Sequence, residues 1–133
     1  MKKKIVNLLM GLTLSMGLLM NQGCVALVVG AAVGAGGFAY IKGNLEQNLD
    51  YQVKDIYNAS LKALGKMKID VYQKTLEPHA ATIYGYTSGQ KKTKIKVTVL
   101  ALTEKASNLK VRYGIVGDES KSIDIIEAIK KEL

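Results

Sequence analysis

Hydrophobic and polar residues are distributed differently in the two parts of this chain. Residues 5–20 and 25–41 are predominantly apolar and carry no charge, and three consecutive lysines stand directly before the first segment. From residue 41 onward, polar and apolar positions are interleaved at regular spacing. Because such interleaving indicates elements with one buried face, the sequence predicts one folded domain after an apolar N-terminal part.

The first patterned residues predict a strand followed by a helix. Ile41, Leu45 and Leu49 alternate loosely with polar residues, which is typical of a half-buried strand. Asp50 then occupies the expected position of a helix N-cap. Gly65 is expected to help end this helix. The residues that recur at helical spacing are Val53, Ile56, Tyr57, Ser60, Leu61, Leu64 and Met67.

Four further strands are predicted after this helix. The second strand begins at Ile69, and turns at residues 77–79 and 88–90 precede and follow the third. The fourth strand alternates over residues 92–99. The fifth alternates over residues 109–115, with Ile115 on its apolar side. We therefore expect these four strands to follow one another with short connections.

A closing helix completes the pattern. Gly114 and Gly117 favour a tight exit from the last strand, and Asp118 is the expected N-cap of the helix. The buried stripe of this helix is expected to contain Ser122, Ile125, Ile126, Ile129 and Leu133. The order β-α-β-β-β-β-α predicts an α+β two-layer sandwich, in which an antiparallel sheet of about five strands carries both helices on one face.

The N-terminal residues have the layout of a bacterial lipoprotein signal peptide. Lysines precede the apolar segment 5–20, and Gly23 and Cys24 end the motif, although Asn21 stands where Leu is usual. A helix over residues 5–20 would span roughly 24 Å, less than the roughly 30 Å of a bilayer core, which favours a removable leader. The predicted organisation is a signal peptide at 1–23, a lipidated cysteine with a Gly/Ala-rich apolar tether at 24–39, and a small α+β domain at 40–133.

Cys24 is the only cysteine of the chain and the predicted lipidation site. A thiolate is nucleophilic enough to accept a diacylglyceryl group, and each buried methylene then contributes about 0.8 kcal/mol to membrane binding. The alternative is that Cys24 is an ordinary small residue of a hydrophobic segment. Val25, rather than Asp, follows it, which in enteric-type bacteria predicts an outer-membrane anchor that faces the periplasm.

The second apolar segment, residues 25–41, allows three interpretations. Gly30 and Gly34 have the spacing with which helices approach closely in lipid, but Gly36 and Gly37 weaken a helix. A flexible tether beside the acyl chains and a short self-associating helix are both favoured over the second arm of a membrane hairpin.

The predicted domain has one candidate binding surface. The formal net charge of +8 falls to +5 when residues 1–23 are removed. If strands two to five pair as successive hairpins, the uncovered sheet face collects tyrosines and cations, namely Tyr72, Tyr84, Tyr86, Lys92, Lys94, Lys96, Lys110 and Arg112. Its five cations form a candidate site for anionic lipid or another anionic envelope component. The alternative is that the lysines only keep an open sheet face soluble. No nucleic-acid recognition motif is present.

The sequence predicts no catalytic residue, no metal site and no cofactor. His79 is the only histidine and follows Pro78 in a turn, where the sequence offers no second metal ligand nearby. The serines fit no nucleophile motif, and Asp118 with Glu119 is typical of a helix start. We therefore expect a structural or partner-binding role, with an envelope protein or anionic lipid as the candidate partner, rather than an enzyme.

Several of these segments together resemble a known family. They are residues 23–27, the Gly/Ala-rich run that leads into residues 39–43, the helix with Tyr57 and Leu64, and residues 117–119 before the last helix. The combination resembles a family of short Gram-negative bacterial lipoproteins classed as a domain of unknown function. The resemblance spans most of the chain, and it implies an envelope location without implying any activity.

Overall fold

A six-stranded antiparallel sheet with two helices on one face forms the part of the chain that the computed structural model describes, residues 37–133. The strands are β1 Ala39–Ile41, β2 Asn44–Leu49, β3 Ile69–Leu76, β4 Ala80–Thr87, β5 Lys94–Ala101 and β6 Ser107–Tyr113, and the helices are α1 Val53–Lys66 and α2 Glu119–Lys130. This arrangement confirms the predicted α+β two-layer sandwich. The predicted signal peptide, the Cys24 lipidation site and the predicted tether up to residue 36 lie outside the described residues.

The sheet has six strands rather than the predicted five, because the segment predicted as the first strand forms two strands joined by a tight turn. β1 and β2 pair from Ala39↔Glu46 to Ile41↔Asn44, so only Lys42 and Gly43 connect them. Both connecting residues have positive φ, 50° and 82°, as a type I′ turn requires. The sequence Lys-Gly lacks the usual Asn or Asp at the first turn position, so the pattern predicted one strand where two exist.

The remaining strands pair as predicted, in successive antiparallel hairpins from β3 to β6. β2 joins the free side of β6, which gives the spatial order β1-β2-β6-β5-β4-β3. Alternate residues of β4, β5 and β6, together with Leu45 of β2 and Ile69 of β3, face the two helices and are fully or nearly fully buried there. The sheet side of this core contains Leu45, Ile69, Ala81, Ile83, Ile95, Val97, Val99, Leu109 and Val111.

Helix α1 begins two residues later than the sequence predicted and ends at Lys66, one residue after Gly65. Its N-cap is Gln52 rather than Asp50, and the Gln52 side chain makes no capping hydrogen bond. The helix continues through Gly65, and the reversal follows at Lys68, whose φ is 56°. The Ser88 hydroxyl donates to the Lys68 carbonyl and so fixes this turn against the loop after β4. Gly65 is therefore the next-to-last residue of the helix, and the residue that reverses the chain is Lys68.

Helix α2 matches its prediction closely. The Asp118 carboxylate accepts a hydrogen bond from the Lys121 amide at 2.9 Å, so Asp118 is the N-cap. Such a cap satisfies one of the amide groups that have no partner inside the helix. The buried residues of the helix are Ser122, Ile125, Ile126 and Ile129, all of them predicted.

Candidate functional site

The face of the sheet opposite the helices carries the predicted basic surface. Tyr84 lies opposite Lys96, and Lys96 lies opposite Arg112, so these residues form one row across β4, β5 and β6. Tyr86 and Lys94 form the neighbouring row. The strand pairing thus brings four of the five predicted cations, Lys94, Lys96, Lys110 and Arg112, onto one face of the sheet.

Three tyrosines form a cluster at one side of this face. A β-bulge in β3 shifts the register between Val71 and Gln73, and Tyr72 is the residue at the bulge. The Tyr72 ring stacks on Tyr86 with centroids 4.9 Å apart and lies 6.1 Å from the Tyr84 ring. Separations of this size are favourable for tilted or offset aromatic pairs. The cluster therefore presents a continuous aromatic surface beside the lysines.

Lys94 and Lys96 both point toward the ring of Tyr84. Their ammonium groups lie 5.2 Å and 5.5 Å from the ring centroid, within the range of a cation–π interaction. Within residues 37–133, neither of these two lysines forms an ion pair, so both charges are available to an anionic ligand. This pair of lysines therefore places two positive charges beside one aromatic ring on the open face.

Lys110 and Arg112, by contrast, have partners within the protein. The Lys110 ammonium forms an ion pair with Glu46 at 3.1 Å, which compensates its charge. Arg112 donates from Nε to the Ile115 carbonyl at 3.1 Å and from Nη1 to the Lys42 carbonyl at 3.2 Å. Arg112 keeps its charge, but it also joins the β1–β2 turn to the chain after β6. These two cations therefore have structural roles that the sequence pattern could not indicate.

Lys92 lies in the loop between β4 and β5 rather than on the strand where the sequence placed it. The strand ladder begins only at Lys94, because the Thr93 amide donates to the Thr87 side-chain oxygen at 2.9 Å. Lys92 lines a shallow depression of about 550 Å³ together with Tyr86 and Lys94. It therefore borders the basic surface from the end of the sheet.

The residues after β6 form a site that the sequence analysis missed. We call residues 114–117 the tip loop. Ile115 was predicted on the apolar side of a strand, but β6 ends at Tyr113. The side chains of Ile115 and Val116 are 86% and 85% exposed, which makes them the most exposed large hydrophobic residues of the described chain. Both line the same depression as Lys92 and Lys94. The flanking glycines were the only sequence signal for this loop.

The other polar candidates have structural explanations or stand alone. His79 is exposed in the β3–β4 turn. The buried serines donate their hydroxyl hydrogens to backbone carbonyls: Ser60 to Ile56, Ser107 to Tyr51 and Ser122 to Asp118. Within residues 37–133 there is no group of three or more His, Cys, Asp or Glu residues that could hold a metal ion. In the same part of the chain, no helix has the length and apolarity needed to cross a bilayer.

A small two-layer α+β domain with an open basic sheet face is the class that fold and surface define. The chain belongs to the family described as "Protein of unknown function (DUF3568)", whose sequence profile matches residues 5–132. This match confirms the predicted membership in a family classed as a domain of unknown function. Among curated proteins, none matches the chain.

Proposed function

We propose that this protein is a lipoprotein of the bacterial cell envelope, anchored through Cys24, with a non-enzymatic structural or partner-binding role. In this proposal the domain faces the periplasm, and Val25 directs the anchor to the outer membrane. The observation that carries the proposal is the leader-like segment that ends at the only cysteine of the chain. The family match supports it, because residues 5–132 include both apolar segments and Cys24.

The length of chain between Cys24 and the folded domain would allow such an anchor. β1 starts at Ala39, so residues 25–38 connect Cys24 to the edge of the sheet. The fifteen residue steps from Cys24 to Ala39 can therefore span roughly 50 Å when fully extended, at about 3.3 Å per residue. Two or more acyl chains would hold the protein on a bilayer essentially permanently. The domain would then remain within a short distance of the membrane surface.

Metabolic labelling with palmitate tests the anchor. The wild-type chain is expected to incorporate label, and Cys24→Ser is expected to lose it completely, because the thiol is the acceptor. The matched control is Asn21→Leu, which restores the usual leader residue and is expected to label at least as well as wild type. Intact mass should show loss of residues 1–23 and addition of acyl chains. Equal labelling of wild type and Cys24→Ser contradicts the proposal.

A second proposed function is binding of an anionic envelope component to the open sheet face. The observation that favours it is the convergence of Lys94 and Lys96 on the Tyr84 ring, which concentrates positive charge beside exposed aromatic surface. Clustered charges attract an oppositely charged ligand over long range. Among the five candidate cations, we expect Lys92, Lys94 and Lys96 to contribute more than Lys110 and Arg112, which have internal partners.

Charge reversal tests this second function. Lys94→Glu/Lys96→Glu should weaken binding of lipopolysaccharide or of vesicles that contain phosphatidylglycerol. Lys54→Glu/Lys62→Glu changes the net charge equally on exposed positions of helix α1 and should have little effect. Binding measured at several salt concentrations should weaken as salt rises. Equal affinities of the two double variants contradict a specific role for the sheet face.

A further inference from the structure

The tip loop presents two large apolar side chains directly to solvent. Ile115 and Val116 are adjacent, both are branched at the β-carbon, and neither packs onto the core. Scattered exposed hydrophobic residues are normal, but two adjacent ones at the apex of a turn form a small continuous apolar projection. Removal of such side chains from water is favourable in proportion to the apolar area they expose.

The tip loop is held in place by hydrogen bonds from Arg112 of β6 and by close packing against the β1–β2 turn. The Arg112 guanidinium donates to the Ile115 carbonyl through two of its nitrogens and to the Lys42 carbonyl through a third. Gly117 packs so closely against Gly43 that a Cβ at position 117 would lie 2.5 Å from the Gly43 Cα. Because the loop is already ordered, its binding to another surface costs little conformational entropy.

Three lysines lie beside the apolar projection. Lys91, Lys92 and Lys94 line the depression beside Ile115 and Val116, and no acidic residue lines it. The nearest acid along the chain, Asp118, uses its carboxylate to cap helix α2. An apolar tip with lysines beside it matches the two layers of an anionic bilayer surface, in which acyl chains lie beneath phosphate groups.

We propose that the tip loop docks on an anionic lipid bilayer, with Ile115 and Val116 inserted at the boundary between headgroups and acyl chains. Lys91, Lys92 and Lys94 then lie among the lipid phosphates. The proposal rests on the proposed envelope location, since an anchor at Cys24 would hold the domain beside a membrane. A tethered contact is effectively intramolecular, so even weak insertion by two side chains would be well populated.

A single tryptophan gives a direct measure of loop insertion, because the chain contains no tryptophan. The full chain with Val116→Trp is reconstituted into vesicles of phosphatidylglycerol and phosphatidylcholine. Its emission should shift to shorter wavelength, become protected from aqueous acrylamide, and be quenched by lipids brominated near the headgroup. The matched control is Leu102→Trp, an exposed apolar position in the turn at the other end of β6, which should remain open to acrylamide.

The lysines should control this insertion. Each lysine near an anionic surface contributes about 1 kcal/mol, so Lys91→Gln/Lys92→Gln/Lys94→Gln should lower the insertion equilibrium of the Val116→Trp chain about 100-fold. The control Lys54→Gln/Lys62→Gln changes two lysines of helix α1 that are far from the loop in sequence. It should leave the insertion equilibrium unchanged. Vesicles of phosphatidylcholine alone should also abolish most of the signal. Circular dichroism of each variant verifies that the domain remains folded.

The outcomes separate the loop from the anchor. Equal acrylamide access at positions 116 and 102 on anionic vesicles overturns the proposal, and so does insertion that is unaffected by the three lysine substitutions. A blue shift that occurs without vesicles and rises with protein concentration also overturns it, because it indicates that the loop binds another protein copy. Intact mass of the same sample reports acylation of Cys24 independently, so loss of the anchor and loss of loop docking are distinguishable.

Discussion

Substitution of Gly117 by alanine should destabilise the domain strongly, because a Cβ at this position has no room. Gly117 has a φ of 96°, and its backbone crosses that of Gly43 in the β1–β2 turn. A Cβ at position 117 would lie 2.5 Å from the Gly43 Cα and 2.8 Å from its carbonyl carbon. These neighbours are backbone atoms, so they cannot move without separating the turn from the tip loop.

The magnitude has two contributions. The left-handed backbone costs a non-glycine residue about 1–2 kcal/mol, and forced overpacking typically costs about 1–3 kcal/mol. Together they predict a loss of about 2–5 kcal/mol in the free energy of unfolding. For a domain of this size, about 4–8 °C of melting temperature correspond to each kcal/mol. We therefore expect the melting temperature of Gly117→Ala to fall by at least about 8 °C.

Gly89→Ala is the matched control, because Gly89 also has positive φ, 123°, but a Cβ there meets nothing within 4 Å. It should show the cost of backbone conformation without the cost of the contact. Urea unfolding followed by circular dichroism gives both free energies under the same conditions. If Gly117→Ala loses no more stability than Gly89→Ala, the close approach to Gly43 is not an important constraint, and the ordered tip loop loses its main support.

Three further expectations concern single contacts. Gly65→Ala should raise the free energy of unfolding by about 0.5–1 kcal/mol, because Gly65 is a helical residue in the last turn of α1 with open space around it. A loss of stability would contradict its helical backbone conformation. Ser107→Ala should lower the free energy of unfolding by about 1 kcal/mol, because it removes the hydrogen bond to the Tyr51 carbonyl. Ser60→Ala should change it by no more than about 0.5 kcal/mol, because the Ser60 hydroxyl bonds only within its own helix. Equal losses for the two variants in urea unfolding would refute this difference. A double-mutant cycle on Glu46 and Lys110 should give a coupling energy below about 1 kcal/mol, and this energy should fall as salt is added. A coupling energy that does not change with salt would show that solvent does not screen the pair.

The fold was largely predictable because its core follows simple alternation. In β5, Ile95, Val97 and Val99 alternate with polar residues and are all buried, as period-two patterning requires. Helix α2 was predictable from its N-cap and its spacing of isoleucines. The β1–β2 hairpin was missed because its turn uses Lys42, a residue that seldom adopts positive φ, so no local signal marked the reversal.

The candidate surface was predictable only in part. The lysines of β5 alternate with buried residues, so their common face followed from the pattern. Ile115 also fits that pattern, but a strand needs a neighbour to pair with. The Gly114 amide bonds to the Lys94 carbonyl at 2.8 Å, and β5 begins there, so no partner is left for Ile115. Where β6 ends depends on where its neighbour β5 begins, and the sequence of β6 alone does not carry that information.

The bulge at Tyr72 has a consequence for molecules crowded on a surface. β3 is the outermost strand on its side of the sheet, and its free amides and carbonyls would template pairing with the same edge of another copy. The register shift at Tyr72 divides that edge into two short stretches, and Lys74 adds a charge to the second. Copies held side by side in two dimensions meet far more often than copies in dilute solution. Because its edge strand is interrupted, the protein is expected to remain as separate molecules rather than to join edge to edge into one continuous sheet.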